Sequence, residues 1–94
     1  MNRLANQLGA IASEQRMRIL ASLADGAVHV SELARQLGMS RPLLYMHLAK
    51  LEEAGFVSGK LELSTDGKAF KYFEIKPFNI TIDINAIRAA LAPE

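Results

Sequence analysis

The sequence predicts an α+β domain in which helices come first, a two-stranded antiparallel hairpin follows, and one more helix closes the chain. Three observations carry this prediction. Through about residue 55, apolar side chains recur at the three- and four-residue spacing of single helix faces. From residue 56 the pattern changes: "FVSGKLEL" and "AFKYFEIK" are rich in β-branched and aromatic residues and flank "STDGK", the composition of two strands joined by a turn. After Pro77 the helical spacing returns in "DINAIRAALAPE".

In the first segment, residues 3 to 12, Leu4, Leu8 and Ile11 form one apolar stripe. Ser13 is placed to cap a second helix, "EQRMRILASLADG", with Met17, Leu20 and Ala24 on one face beside Ile19 and Leu23, and Gly26 stops it. The short extended piece "AVHV" follows. Ser31 then caps "ELARQLG", about two turns ending at Gly38. The next helix starts at Ser40 or Arg41 and runs to Gly55; Pro42 disfavours helical geometry at Arg41 yet suits a first turn. Asp66-Gly67 marks a tight hairpin in which both residues accept positive φ. "FNITI" continues in an extended conformation, and the final helix places Ile84, Ile87 and Leu91 on one face. There is no internal repeat, low-complexity tract or linker, so residues 1–94 read as one domain with one modest core.

Composition removes several function classes. The chain has no cysteine, which excludes disulfides, zinc ribbons and thiol redox chemistry. No stretch approaches 18 consecutive apolar residues and the N-terminus lacks a signal-peptide core, so a cytoplasmic protein without membrane contact is expected. No Ser-His-Asp set, paired carboxylates or phosphate-binding glycine loop appears, and no enzymatic activity or cofactor is expected. The net charge is only +1, so any nucleic-acid binding must come from a local patch or from two copies combined.

The stretch "MSRPLLYMHLAKLEEAGFV", residues 39 to 57, concentrates the functional signal. At about 100° per residue, Leu44, Leu48, Leu51 and Gly55 share one narrow arc that must face the core. Pro42, Met46, Ala49 and Glu53 lie opposite, with Arg41 and Tyr45 on the flank. Two short helices joined at Gly38-Met39-Ser40 make a helix-turn-helix over residues 31–55. Such a motif presents the N-terminal residues of its second helix to base edges in the major groove. The segment is predicted to pack with one edge and to read with the other.

"SEQRMRILASLADGAVHVSELARQLGMSRPLLYMHLAKLEEAGFV" resembles the core of the ArsR-type winged helix-turn-helix transcriptional regulators, and "GKAFKYFEI" is similar to that family's wing and returning aromatic strand. The resemblance covers residues 5 to 76. It implies a homodimer on double-stranded DNA, a repressor at a pseudo-palindromic operator, with helix 40–54 in the major groove and hairpin 56–76 as the wing. It also implies that terminal helices 1–12 and 83–92 form the dimer interface. Metal-sensing members carry a Cys-x-Cys pair where this sequence has His29 and Ser31. Another family site uses Asp and His on the last helix, where this chain offers Asp83 and Asn85 but no histidine. No metal site is therefore expected, and no effector is specified.

Candidate DNA contacts are Ser40, Arg41, Pro42, Leu43, Tyr45, Met46, His47 and Lys50 on the helix, and Lys68 and Lys71 on the hairpin. The oily character of Leu43, Tyr45 and Met46 favours phosphate, sugar or thymine-methyl contacts over base hydrogen bonds. His47 reads equally as a phosphate contact or as a residue packed beneath the wing. Lys71 reads as a phosphate contact or as part of a solvated sheet face. His29 reads as a partly exposed strand histidine, Met17 and Met39 as core filler, and Arg16 and Arg18 as partners of groups within the protein. The expected core is Ile19, Leu20, Leu23, Leu33, Leu37, Leu44, Leu48, Leu51, Val57, Leu63 and Phe73, which leaves the stripes Leu4, Leu8, Ile11 and Ile84, Ile87, Leu91 in surplus, as an interface would have them. The alternative to a DNA-binding regulator is a protein-interaction module of the same fold with weak or no DNA binding.

Overall fold

The computed structural model describes residues 2–93; residues 1 and 94, which the sequence reading included in the domain, lie outside the described residues. Helix α1 (Arg3–Ile11) is capped by the Asn2 side chain, which accepts from the Ala5 N–H, and α2 (Glu14–Ser22) is capped by Ser13 as expected. Strand β1 (Val28–His29) leads directly into α3 (Val30–Leu37). Helix α4 (Arg41–Glu53) follows, then β2 (Val57–Leu63), β3 (Ala69–Ile75) and α5 (Ile84–Leu91), the last capped by Asp83. Helix-turn-helix α3–α4 and hairpin β2–β3 together make the α+β winged helix-turn-helix.

The α3–α4 turn depends on Gly38, whose φ of 61° lies in the left-handed region where a side chain is strained. Ser40 then caps α4 by accepting from the Leu43 N–H at 3.3 Å, so Arg41 and Pro42 occupy the first turn. The start of α3 differs from expectation. His29, not Ser31, is the cap: its Nδ1 accepts from the Glu32 N–H at 3.2 Å. The helix begins two residues earlier because Val30, 3% exposed, is drawn into the core while His29 is held extended by pairing with Tyr72.

That pairing also makes the sheet three-stranded, in the order β1-β3-β2, rather than a two-stranded hairpin. Val28 and His29 are too short a run to signal a strand by periodicity. The β2–β3 register runs from Val57↔Ile75 to Leu63↔Ala69, close to the predicted strand limits. The hairpin loop is wider than a two-residue turn: the Ser64 and Lys68 backbones close it, and only Gly67 takes positive φ. Residues 78–82, expected to be extended, form no strand among the described residues. They serve the core in another way, with Phe78 edge-on to Phe56 at 4.7 Å between ring centroids and Ile80 against the cluster.

The core gathers Ile19, Leu23, Leu33, Leu44, Leu48, Leu51, Val57 and Phe73 as predicted, and adds Ala10, Val30, Ala34 and Phe56. Leu20 and Leu37 pack at its edge. Two expectations fail. Leu63 is 75% exposed and Met17 is 53% exposed. Leu63 lies near the end of a hairpin that projects past the helices, so no element covers it. Gly59, nearer the body, lets the sheet lie close: a Cβ there would stand 2.8 Å from the Phe73 ring. The projecting wing draws the molecule out to 53 × 25 × 23 Å, with a radius of gyration of 15.5 Å against about 12 Å for a compact chain of this length.

Candidate nucleic-acid interface

Leu44, Leu48 and Leu51 are fully buried, which fixes the rotation of α4 about its axis and turns Pro42, Tyr45, Met46 and Ala49 outward. Tyr45 is 44% and Met46 53% exposed, large values for such side chains. Arg41 is exposed and forms no ion pair within 4 Å among the described residues; its guanidinium donates to Ser31 Oγ at 3.4 Å. The Ser40 hydroxyl is used as an acceptor by the helix, and its own O–H is left to donate outward.

A cleft of about 250 Å³ separates the start of α4 from the hairpin, lined by Ser31, Arg41, Tyr45, Leu61, Phe70 and Lys71, with His29 at its back. Two cationic side chains, Arg41 and Lys71, thus share a cleft with the apolar Leu61 and Phe70. Lys71 is half-buried, its Nζ 5.6 Å from the Phe73 ring centroid. Lys68 is exposed at the hairpin end. Beside it Asp66 accepts from the Ser64 hydroxyl and the Lys68 N–H, and these bonds hold its carboxyl below the usual carboxylate range. Leu61 and Phe70 escaped the sequence reading because alternation marks them as strand residues without revealing that the strand outruns the core.

Three predicted contacts fall elsewhere. Leu43 is half-buried on the other flank of α4 from Tyr45. Lys50 is exposed but lines a groove against α1 with Arg16 and Glu53, away from the first turns. His47 is 6% exposed, too deep to touch phosphate. Its Nδ1 lies 3.1 Å from Arg16 Nη1 and its Nε2 2.9 Å from Gln15 Oε1. Arginine only donates, so Nδ1 accepts, Nε2 carries the proton and the ring is neutral. Burial first, then the positive charges of Arg16 and Lys50, pushes its pKa below the ordinary histidine value. Arg16 also donates to the Ala10 and Gly9 carbonyls at 2.6 and 3.4 Å, closing the end of α1. His47 is therefore a structural joint between α1, α2 and α4.

Other proteins share this sequence pattern and this fold. The sequence model described as "Bacterial regulatory protein, arsR family" matches residues 13–58. An uncharacterized HTH-type transcriptional regulator of Methanocaldococcus jannaschii is 35% identical over 79 residues, covering 84% of this chain and 82% of the relative. The chain belongs to the ArsR family. The transcriptional activator HlyU of Vibrio cholerae is 36% identical over 69 residues, covering 73% of this chain and 64% of HlyU. A solved structure of V. cholerae HlyU superposes with a TM-score of 0.70 at 26% identity, covering 95% of this chain and 91% of that one. The homodimeric winged helix-turn-helix DNA-binding domain of a possible ArsR-family regulator from Mycobacterium bovis superposes at 0.68 with 27% identity, covering 78% and 63%. This ArsR-family chain is a winged helix-turn-helix transcriptional regulator.

His29 is engaged as the α3 cap, and Ser31 accepts from Arg41. Among the described residues, no group of three or more His, Cys, Asp or Glu stands close enough together to hold a metal ion, and no helix is long and apolar enough to cross a membrane.

Proposed function

We propose that the protein binds a pseudo-palindromic operator in double-stranded DNA as a homodimer, with the first turns of α4 in the major groove and the hairpin along the flanking backbone. The observation that carries this reading is the outward face of α4: Arg41, Pro42, Tyr45 and Met46 stand clear of the core beside a projecting hairpin that ends in Lys68. Ser40, Arg41 and Lys71 are suited to phosphate, Lys68 to the flanking backbone, and Tyr45 and Met46 to the groove itself. Residues 31–55 act as the DNA-reading unit, 56–76 as the wing, and the terminal segments 1–12 and 83–92 as the dimer contact.

Dimerisation draws support from the chain ends. Asn2 Nδ2 donates to the Ala90 carbonyl at 2.6 Å, so α1 and α5 meet across the fold. Helix α5 buries none of its residues, and Ile84, Ile87 and Leu91 are 67%, 41% and 72% exposed. On α1, Leu4 and Leu8 are half-buried, whereas Ile11, expected in the same stripe, packs against the core. A second copy would cover this stripe with an identical one, the usual two-fold solution. Two basic surfaces would also then act together, which a chain of net charge +1 needs.

A dimer seated on an operator occludes it, which is repression in its simplest form; operator position relative to the promoter sets the sign of regulation. The test is a fluorescence-anisotropy titration of the duplex upstream of the protein's own gene against a scrambled duplex, over a salt series. Specific binding that weakens linearly in log salt supports the proposal. Equal binding to both duplexes favours the second reading, a protein-interaction module, for which the exposed Tyr45 and Met46 and the near-neutral charge speak.

A further inference from the structure

We propose that this protein reads its operator through the 5-methyl groups of thymine, contacted by Pro42, Tyr45 and Met46. The inference rests on the DNA-binding reading above and names the chemical group that binding selects. The outward face of α4 through its third turn is Arg41, Pro42, Tyr45, Met46 and Ala49. It carries no Asn, Gln, Asp or Glu, the side chains that pair with adenine or cytosine edges, and Arg41 is its one guanine-type donor. Arg41 leans back toward Ser31 and the cleft beneath the hairpin, the position of a phosphate ligand rather than a base reader.

What remains, the Tyr45 hydroxyl apart, is apolar surface. Pro42 has no N–H and is exposed, and Met46 leaves 53% of its surface uncovered. The thymine methyl is the one apolar group of the four base pairs in the major groove. An apolar recognition face therefore has a single target chemistry there. A flexible thioether beside a flat phenol ring suits closely spaced methyls whose positions vary slightly between half-sites. Arg41 and Lys71 line the cleft beside Tyr45, and with Lys68 at the hairpin end they supply the sequence-independent attraction that holds the patch against the bases.

The experiment compares one operator, selected by the protein from a pool of random duplexes, with the same duplex synthesised with deoxyuridine for thymidine. That change removes methyl groups and leaves every base-pair hydrogen bond in place. Affinity is measured by anisotropy at fixed salt. The expected loss is about fourfold for each contacted methyl, the usual value of one buried carbon. Met46→Ala, at an exposed site, should fold normally by circular dichroism and bind thymidine DNA more weakly, and its thymidine-to-deoxyuridine ratio should move toward one.

Three results overturn the proposal. In the first, the two duplexes bind within twofold of each other while both outcompete scrambled DNA, so the DNA-binding reading stands and methyl readout falls. In the second, the deoxyuridine penalty is undiminished in Pro42→Ala, Tyr45→Ala and Met46→Ala, which assigns it to duplex shape. In the third, the selection yields no preferred sequence, and methyl readout falls together with the DNA-binding reading.

Discussion

Arg41 and Lys68 are both cationic and exposed, yet their surroundings give them different work. Arg41 projects from a rigid first helical turn. Arg41→Ala is expected to weaken operator binding by about 1–3 kcal/mol if its fork reads guanine, relaxing preference at one position. If it holds phosphate, as its lean toward the cleft favours, the loss is uniform across sequences. Lys68→Ala, at the hairpin end, should weaken all duplexes alike and reduce the salt slope by about one. Anisotropy on an operator and its single-base variants separates these outcomes. His47 makes a prediction of the opposite kind, about stability. Its folded pKa lies below the ordinary 6.5. Between the two values the unfolded chain binds a proton that the folded chain does not, so stability rises with pH across that window. The His47 contribution is complete above about pH 6.5 and declines as pH falls toward the folded value. Denaturant midpoints between pH 5 and 8 should show the decline in the wild type and a flatter profile in His47→Gln. Identical profiles would remove His47 as its source.

At the scale of the element, α4 divides its length between two partners. Its inner row is the core, and Leu48→Ala should cost about 2–5 kcal/mol through the cavity it leaves, without changing which sequence is preferred. A shift in base preference equal to that of Tyr45→Ala would mean that the two rows are not independent. The hairpin divides in the same way. Its base is packed, its end is not, and Gly59 marks the boundary because the Phe73 ring and the Lys71 stem fill the space a Cβ needs. Gly59→Ala is expected to lower stability by about 1–3 kcal/mol by forcing the ring aside, read as a fall in the urea midpoint at unchanged slope. The sequence displayed most of this level. Caps at Ser13 and Ser40 and strand limits within a residue followed from local chemistry. The His29 cap did not, because it arises when Val30 enters the core and Tyr72 pairs alongside, both contacts between distant parts of the chain.

For the whole molecule the governing feature is apolar surface that one chain does not cover, at α5 and along the outer hairpin. Ile87→Asp or Leu8→Asp places a charge in the proposed dimer contact, at a cost of several kcal/mol. Sedimentation should then show monomer while circular dichroism stays native, and operator affinity should fall steeply because two half-sites no longer act together. A wild type that sediments as monomer at tens of micromolar would refute the dimer. Metal response is a second property of the whole assembly. With no cysteine and two histidines, one capping α3 and one buried against Arg16, zinc, cadmium and arsenite are expected to leave operator affinity unchanged. Tight stoichiometric zinc binding with release of DNA would contradict this and point to ligands shared between copies.

Periodicity and turn chemistry act within a few residues, so element order, the helix-turn-helix, the wing and the inner row of α4 were all legible in the chain. The Leu44, Leu48 and Leu51 spacing already dictated that Tyr45 and Met46 face out. Burial of a particular side chain depends on what lies across from it, and no local pattern contains that information. Tertiary packing alone decided that His47 serves as a neutral joint under Arg16 rather than as a DNA contact. It also decided that Leu63 stands in solvent, and that Ser31, Leu61 and Phe70 meet Arg41 across a cleft. The same type of apolar residue fills the core at Leu48 and lies bare at Leu63 because the helices reach the first and end short of the second.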